Sequence, residues 1–156
     1  MNTPALVSRW ETQSPRLLGL LRLVTAFLFV QFGTAKLLGL PAPIMPDGST
    51  AQLMSQAGIA GLLEIVGGGL LFLGLFTRPV AFILSGEMAF AYFIGHAPQG
   101  FWPVLNQGTP AILFCFLFLY FSAAGPGAFA VSNLLRRWHT TPVGFGTGHH
   151  ELGHSH

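Results

Sequence analysis

The sequence predicts an all-α membrane protein, a bundle of four transmembrane helices. Three observations predict it. Four long apolar segments follow one another, only 8% of the residues are charged against 51% hydrophobic, and the few basic residues mark alternate ends of the segments. Soluble domains carry about a quarter charged residues, so a water-soluble fold is excluded. The 156 residues are one domain's length, and the bilayer is the first partner expected. The net charge of +2 is accounted for by the basic residues at segment ends, and no nucleic-acid partner is expected.

The first segment runs from about Leu17 to Leu38, the second from Ala57 to Phe76, the third from Val80 to Gly95 and the fourth from Ala111 to Ala124. A span needs about 20 residues, so the fourth is expected to begin earlier, near Gln107, with Thr109 and Pro110 in or near its first turn. A re-entrant start over Trp102 to Leu105 is the competing reading, since such backbone needs protein or water cover. Gly125-Pro126-Gly127 ends the fourth helix. Ala128 to Trp138 then reads as a short interfacial helix, with Arg136 and Arg137 at the headgroups. The resulting division is an interfacial segment over 1–16, a membrane domain over 17–127, an interfacial helix over 128–138 and a tail over 139–156.

Charge sets the expected orientation. Arg9, Arg16, Arg78, Arg136 and Arg137 fall on one side and only Lys36 on the other, so both termini are expected to be cytoplasmic. The first apolar run is too long for a signal-peptide core and no small-residue cleavage site follows, so it is expected to remain as a span. On the outer side lie the loops Gly39 to Gln56 and His96 to Asn106. The first of these, with Pro41, Pro43, Pro46 and Asp47-Gly48, should fold tightly over the outer mouth. Cys115 lies inside the fourth span and reads as a packing thiol.

Two carboxylates, Glu64 and Glu87, sit within the second and third spans. An ionised group at that depth costs several kcal/mol and needs a partner or a use. Gly19, Arg22, Ala26, Gly33 and Lys36 form one stripe of the first helix; Ala57, Gly61, Glu64 and Gly68 form one of the second. Small residues let membrane helices approach closely, so both stripes should face neighbours. The run Gly67-Gly68-Gly69 should permit close backbone contact or a kink. Depths counted along the helices predict two ion pairs, Lys36 with Glu64 and Arg22 with Glu87, which either lock the bundle or handle protons. A stripe of Ser85, Ala89, Tyr92 and His96 can line an outward-facing cavity, where His96 would titrate; simple interfacial or packing roles are the alternatives.

The fourth span carries Phe114, Phe116, Phe118, Tyr120 and Phe121. Rings on every side of a helix cannot all meet one ligand, so packing against lipid or a partner is favoured, with a quinone as the other possibility. The tail holds His149, His150, Glu151, His154 and His156. Histidine clusters bind zinc, nickel or copper, but no fixed spacing marks a closed site here, so metal binding rests on composition alone. No phosphate loop and no axial histidine pair is visible, so no haem, flavin or nucleotide is expected.

The stretch Gly61-Leu-Leu-Glu64-Ile-Val-Gly-Gly with Gly74-Leu-Phe-Thr-Arg78-Pro resembles the central signature of the DoxX family. So does Ala81-Phe-Ile-Leu-Ser-Gly-Glu87-Met-Ala-Phe-Ala-Tyr92-Phe, followed by His96-Ala-Pro98 and Gly100-Phe, and Arg22, Gly33 and Lys36 match the family's first helix. The resemblance covers roughly Leu17 to Ser132. It implies a multi-pass protein of the bacterial inner membrane associated with redox complexes. Relatives include the membrane subunit of thiosulfate:quinone oxidoreductase, and members that assemble with superoxide dismutase and a sulfurtransferase. If a quinone-linked role carries over, Glu64, Glu87 and His96 handle protons, Arg22 and Lys36 tune them, and Tyr92 contacts the ligand. Two departures stand out. Asn106-Gln107-Gly108-Thr109 replaces Asn-Gly-Gly-Glu, and Phe129-Ala130-Val131-Ser132 replaces Trp-Ser-Leu-Asp, so two acids are gone. These losses favour the alternative, a non-catalytic accessory subunit packed in a larger respiratory or photosynthetic complex or a homo-oligomer.

Overall fold

A computed structural model describes the backbone of residues 3–139 and the side chains of residues 10–135. Among them every regular element is helical: α1 (Thr3–Leu38), α2 (Gln56–Leu73), α3 (Thr77–Ala91), α4 (Thr109–Ala124) and α5 (Val131–His139). α3 runs on through a π turn at Tyr92–His96 and a 3₁₀ turn at Ala97–Gln99. Three helices are long and apolar enough to cross a membrane, and α4, at 16 residues, is a shorter apolar helix. The His-rich tail, with His149, His150, Glu151, His154 and His156, lies outside the described residues.

Each boundary has a local cause. α1 extends well before Leu17 because nothing in 3–16 breaks it; Pro15 lies inside the helix, and its carbonyl accepts from Ala128 N at 2.7 Å. Ser55 caps α2, its hydroxyl accepting from Gly58 N at 3.0 Å. The helix ends in a Schellman turn: Gly74 N–H reaches Leu71 O and Leu75 N–H reaches Leu70 O, with Gly74 at φ 70°, where a side chain would be strained. α4 starts with Thr109 and Pro110 in its first turn, as expected. The stretch before it is a chain of turns, Leu105 and Asn106 both donating to Trp102 O, and not a re-entrant helix. The helix expected from Ala128 begins at Val131, three residues later, because Gly127 at φ 66° and Phe129 at φ 61° are not helical.

α1 lies along α2 and α3 along α4, with lighter contact between α2 and α3. The two hairpins join through rings: Phe29 of α1 meets Phe118 edge-on at 4.7 Å and Phe114 at 5.2 Å between centroids. Ala26, Phe29, Leu71, Ala81, Leu84, Met88, Phe118 and Phe121 form the core. The connections place the N-terminal half of α1, the end of α2, the start of α3 and the end of α4 together at one end of an up-and-down bundle.

Both small-residue stripes face helices, as predicted. A Cβ on Gly33 would stand 2.6 Å from Gly61 O, so α1 and α2 touch backbone to backbone. In the triple glycine, Gly67 receives Leu84 of α3, Gly68 receives Val30 of α1, and Gly69 faces open space. α2 is thus wedged between two neighbours. Gly33→Ala is expected to lower stability in detergent by about 1–3 kcal/mol through forced helix separation, whereas Gly69→Ala should leave the thermal midpoint unchanged or raise it slightly.

Candidate functional site

Lys36 ends α1 on the face that meets α2, one turn after Gly33. Its Nζ donates to Glu64 Oε1 at 2.5 Å, the predicted ion pair. Gly61, one turn before Glu64, leaves room for the lysine stem: a Cβ there would sit 3.3 Å from Lys36 Cβ. Glu64 is 1% exposed, so the pair lies inside the bundle.

The second predicted pair does not form. Arg22, fully buried, spends its guanidinium on backbone. Nε donates to Pro126 O at 2.9 Å, Nη1 to Phe72 O at 2.6 Å and to Leu71 O, and Nη2 to Phe129 O at 3.1 Å and Ala128 O at 3.4 Å. The acceptors are carbonyls of the last turn of α2, which lack helical partners, and of the kinked segment after α4. The negative end of the α2 dipole also favours a cation there. Arg22 therefore pins the far end of the bundle and is not available to Glu87.

Glu87 consequently has no basic partner in contact. Both its carboxyl oxygens, and Oε2 of Glu64, are buried without a hydrogen-bond partner. Glu87 lines the same groove as Lys36. Two acids thus share a single cation, and three of their four oxygens have no protein donor.

Two cavities converge on this cluster. One, of about 580 Å³, lies between α1, α3 and α4, with Glu64, Lys36 and His96 among apolar walls that include Phe29, Met88 and Phe114. The other, of about 1050 Å³, is a groove between α2 and α3, with Glu87, Lys36 and His96 beside Ile59, Leu63, Ile83 and Phe90. Lys36, Ala91 and His96 belong to both walls, and loop residues Ile44 and Met45 close over them. Ala51 N–H to Lys36 O at 2.7 Å ties that loop to α1, as expected of a cover. At the loop's tip the Asp47 carboxylate accepts from Ser49 Oγ at 2.7 Å and Ser49 N at 3.1 Å, which holds its pKa below the usual carboxylate value.

His96 Nδ1 donates to Asn106 O at 2.8 Å, the carbonyl being able only to accept. In the neutral form of the ring that bond leaves Nε2 as the acceptor nitrogen. Asn106 is a residue the sequence reading missed: buried, its amide donates to Gly100 O at 2.7 Å and its Oδ1 accepts from Gly108 N at 2.8 Å. The signal was an Asn-Gln-Gly turn just before a helix. The rest of the expected polar stripe turns elsewhere. Ser85 Oγ donates to Cys115 O at 2.9 Å, stapling α3 to α4. Tyr92 packs on Gly108 and Phe93 and lines neither cavity. Among the described residues no group of three or more His, Cys, Asp or Glu is placed to hold a metal ion.

Comparison with known proteins gives this arrangement a lineage. A protein of Haemophilus influenzae, itself uncharacterized, is 48% identical over 126 residues, covering 79% of this chain and 93% of the relative. No solved structure matches. The DoxX family model matches residues 17–97, the stretch that contributes Arg22, Lys36, Glu64, Glu87 and His96. On that match the chain belongs to the DoxX family of membrane proteins.

Proposed function

We propose that this DoxX-domain membrane protein binds a quinone or quinol, as a membrane subunit of a redox complex, and moves protons through Glu64 and Glu87. The observation that carries the reading is the set of three buried carboxyl oxygens without donors, set in apolar walls beside one lysine. An apolar cavity with a few convergent polar groups is the usual form of a small-molecule site. A quinol offers two hydroxyl donors and, when a redox partner in the complex takes its two electrons, releases two protons. The groove between α2 and α3 opens beside Glu87, so a lipid-dissolved molecule can reach it sideways from the bilayer. In that position Glu87 accepts a hydroxyl proton, Lys36 stabilises the charge that results, and His96 Nε2 is a second acceptor. Glu64, across Lys36, continues the path into the inner cavity. In this reading α4 is the fourth span, and the arginine-bearing end of the bundle faces the cytoplasm.

Calorimetric titration of the detergent-purified protein with a short-chain quinol tests the proposal. Saturable binding is expected, weakened about tenfold in Glu87→Gln through loss of a charge-assisted hydrogen bond. Absence of saturable binding, or equal binding by Glu64→Gln and Glu87→Gln, would overturn it. A second reading, a non-catalytic accessory subunit, is favoured by the outward row Leu113, Phe116 and Tyr120 on α4, all more than half exposed. Under that reading Phe116→Ala strips the protein from its host complex while quinol binding stays nil.

A further inference from the structure

The opposite end of the bundle holds a second polar cleft that the carboxylate cluster does not use. It has a volume of about 870 Å³, and Ser14, Phe76, Thr77, Arg78, Ser132 and Asn133 are among its walls. Among the described residues the wall contains one cation and no acid. α3 begins here, and the first N–H groups of a helix have no acceptor of their own. No side chain caps this start, because Phe76 occupies the cap position. Thr77, 4% exposed, buries its hydroxyl in the same wall without any partner. Among the described residues Arg78 is held in place by one bond, Nη1 to Ala123 O at 2.7 Å, and the rest of the guanidinium lies against Gly125. Its other N–H groups remain for a ligand.

A helix start, an unpaired buried hydroxyl and an anchored arginine fork are complementary to one chemistry, a phosphate oxygen cluster. The depth agrees. α2 ends at Leu73 and α3 starts at Thr77, so the cleft lies where the apolar helices stop, at headgroup level. Phe76, 73% exposed, stands at its rim where acyl or glycerol carbons would lie. We infer that this cleft binds a phosphate group, either that of an anionic phospholipid or free phosphate, through Thr77, Arg78 and the start of α3.

The test uses the purified full-length protein in neutral detergent, with phosphatidylglycerol and inorganic phosphate as separate probes, read by native mass spectrometry and by shift of the melting temperature. Arg78→Gln should weaken retention about tenfold, the usual loss for a charge-assisted fork. Thr77→Val, which keeps shape and removes only the hydroxyl, should weaken it several-fold. Retention of phosphatidylglycerol alone identifies a lipid headgroup, and a response to inorganic phosphate alone identifies the free anion. Should Arg78→Gln fail to fold for want of its Ala123 contact, Thr77→Val decides. A Thr77→Val protein that takes up both probes like the wild type overturns the assignment.

Discussion

Replacing Arg22 by alanine is expected to cost more stability than any other single change, about 3–5 kcal/mol, the range for removing one side of a buried charged network. Five backbone carbonyls, two from α2 and three from the segment after α4, lose their shared donor at once. None of them can turn to a helical neighbour, since α2 is already closed by its Schellman turn and Gly125 to Phe129 is not helical. Arg22→Lys should be intermediate. Its ammonium has three donors at one point and cannot span carbonyls that the guanidinium reaches with five. Thermal unfolding in detergent measures both variants, and the order wild type, lysine, alanine is the expected result. Equal midpoints for wild type and Arg22→Ala would refute the pinning role. Because the Lys36–Glu64–Glu87 cluster lies at the other end, any Arg22→Ala protein that does fold should retain the ligand binding proposed for that cluster.

Lys36→Met is expected to destabilise by about 3 kcal/mol or more, because it leaves Glu64 buried beside Glu87 with no cation between them. The informative variant is the double one. Lys36→Met with Glu64→Gln removes the charge and its partner together, and burying a neutral pair in place of an ion pair is often close to neutral. The double variant should therefore recover most of the loss, giving a coupling energy of about 1–3 kcal/mol in the mutant cycle. Recovery of fold without recovery of quinol binding would place Lys36 and Glu64 in the working of the site as well as in its frame. Additive losses would mean the two residues do not act as a pair.

The accuracy of the sequence reading tracked how local each cause is. Helix starts and stops rest on neighbours in sequence, so Pro110 and Gly125 marked those of α4 well, while α2, expected to run to Phe76, stops at Leu73 because Gly74 takes the left-handed cap position. Facing is periodic, and the stripes through Gly33 and Gly61 were therefore visible. Lys36 with Glu64 was legible because both lie on those stripes, at depths that a lysine stem can bridge. Arg22 with Glu87 failed for a different reason. Depth counting weighs charge against charge, and the winning competitors were uncharged carbonyls. An arginine that reaches five C=O groups needs no carboxylate, but carbonyl availability depends on how chain ends come together after folding. Asn106 and Thr77 escaped notice for the same reason, since a polar group gains meaning from the backbone placed around it.

What the sequence alone determined is the membrane class, the helices, their buried faces and the Lys36–Glu64 ion pair, all set by hydropathy, period and steric size within short stretches. Only the tertiary structure decided that Glu87 lacks a donor, that two cavities share Lys36 and His96 as a common wall, and that Arg22 serves the backbone. Those outcomes depend on which carbonyls and voids remain when four helices have packed, a quantity no single helix contains.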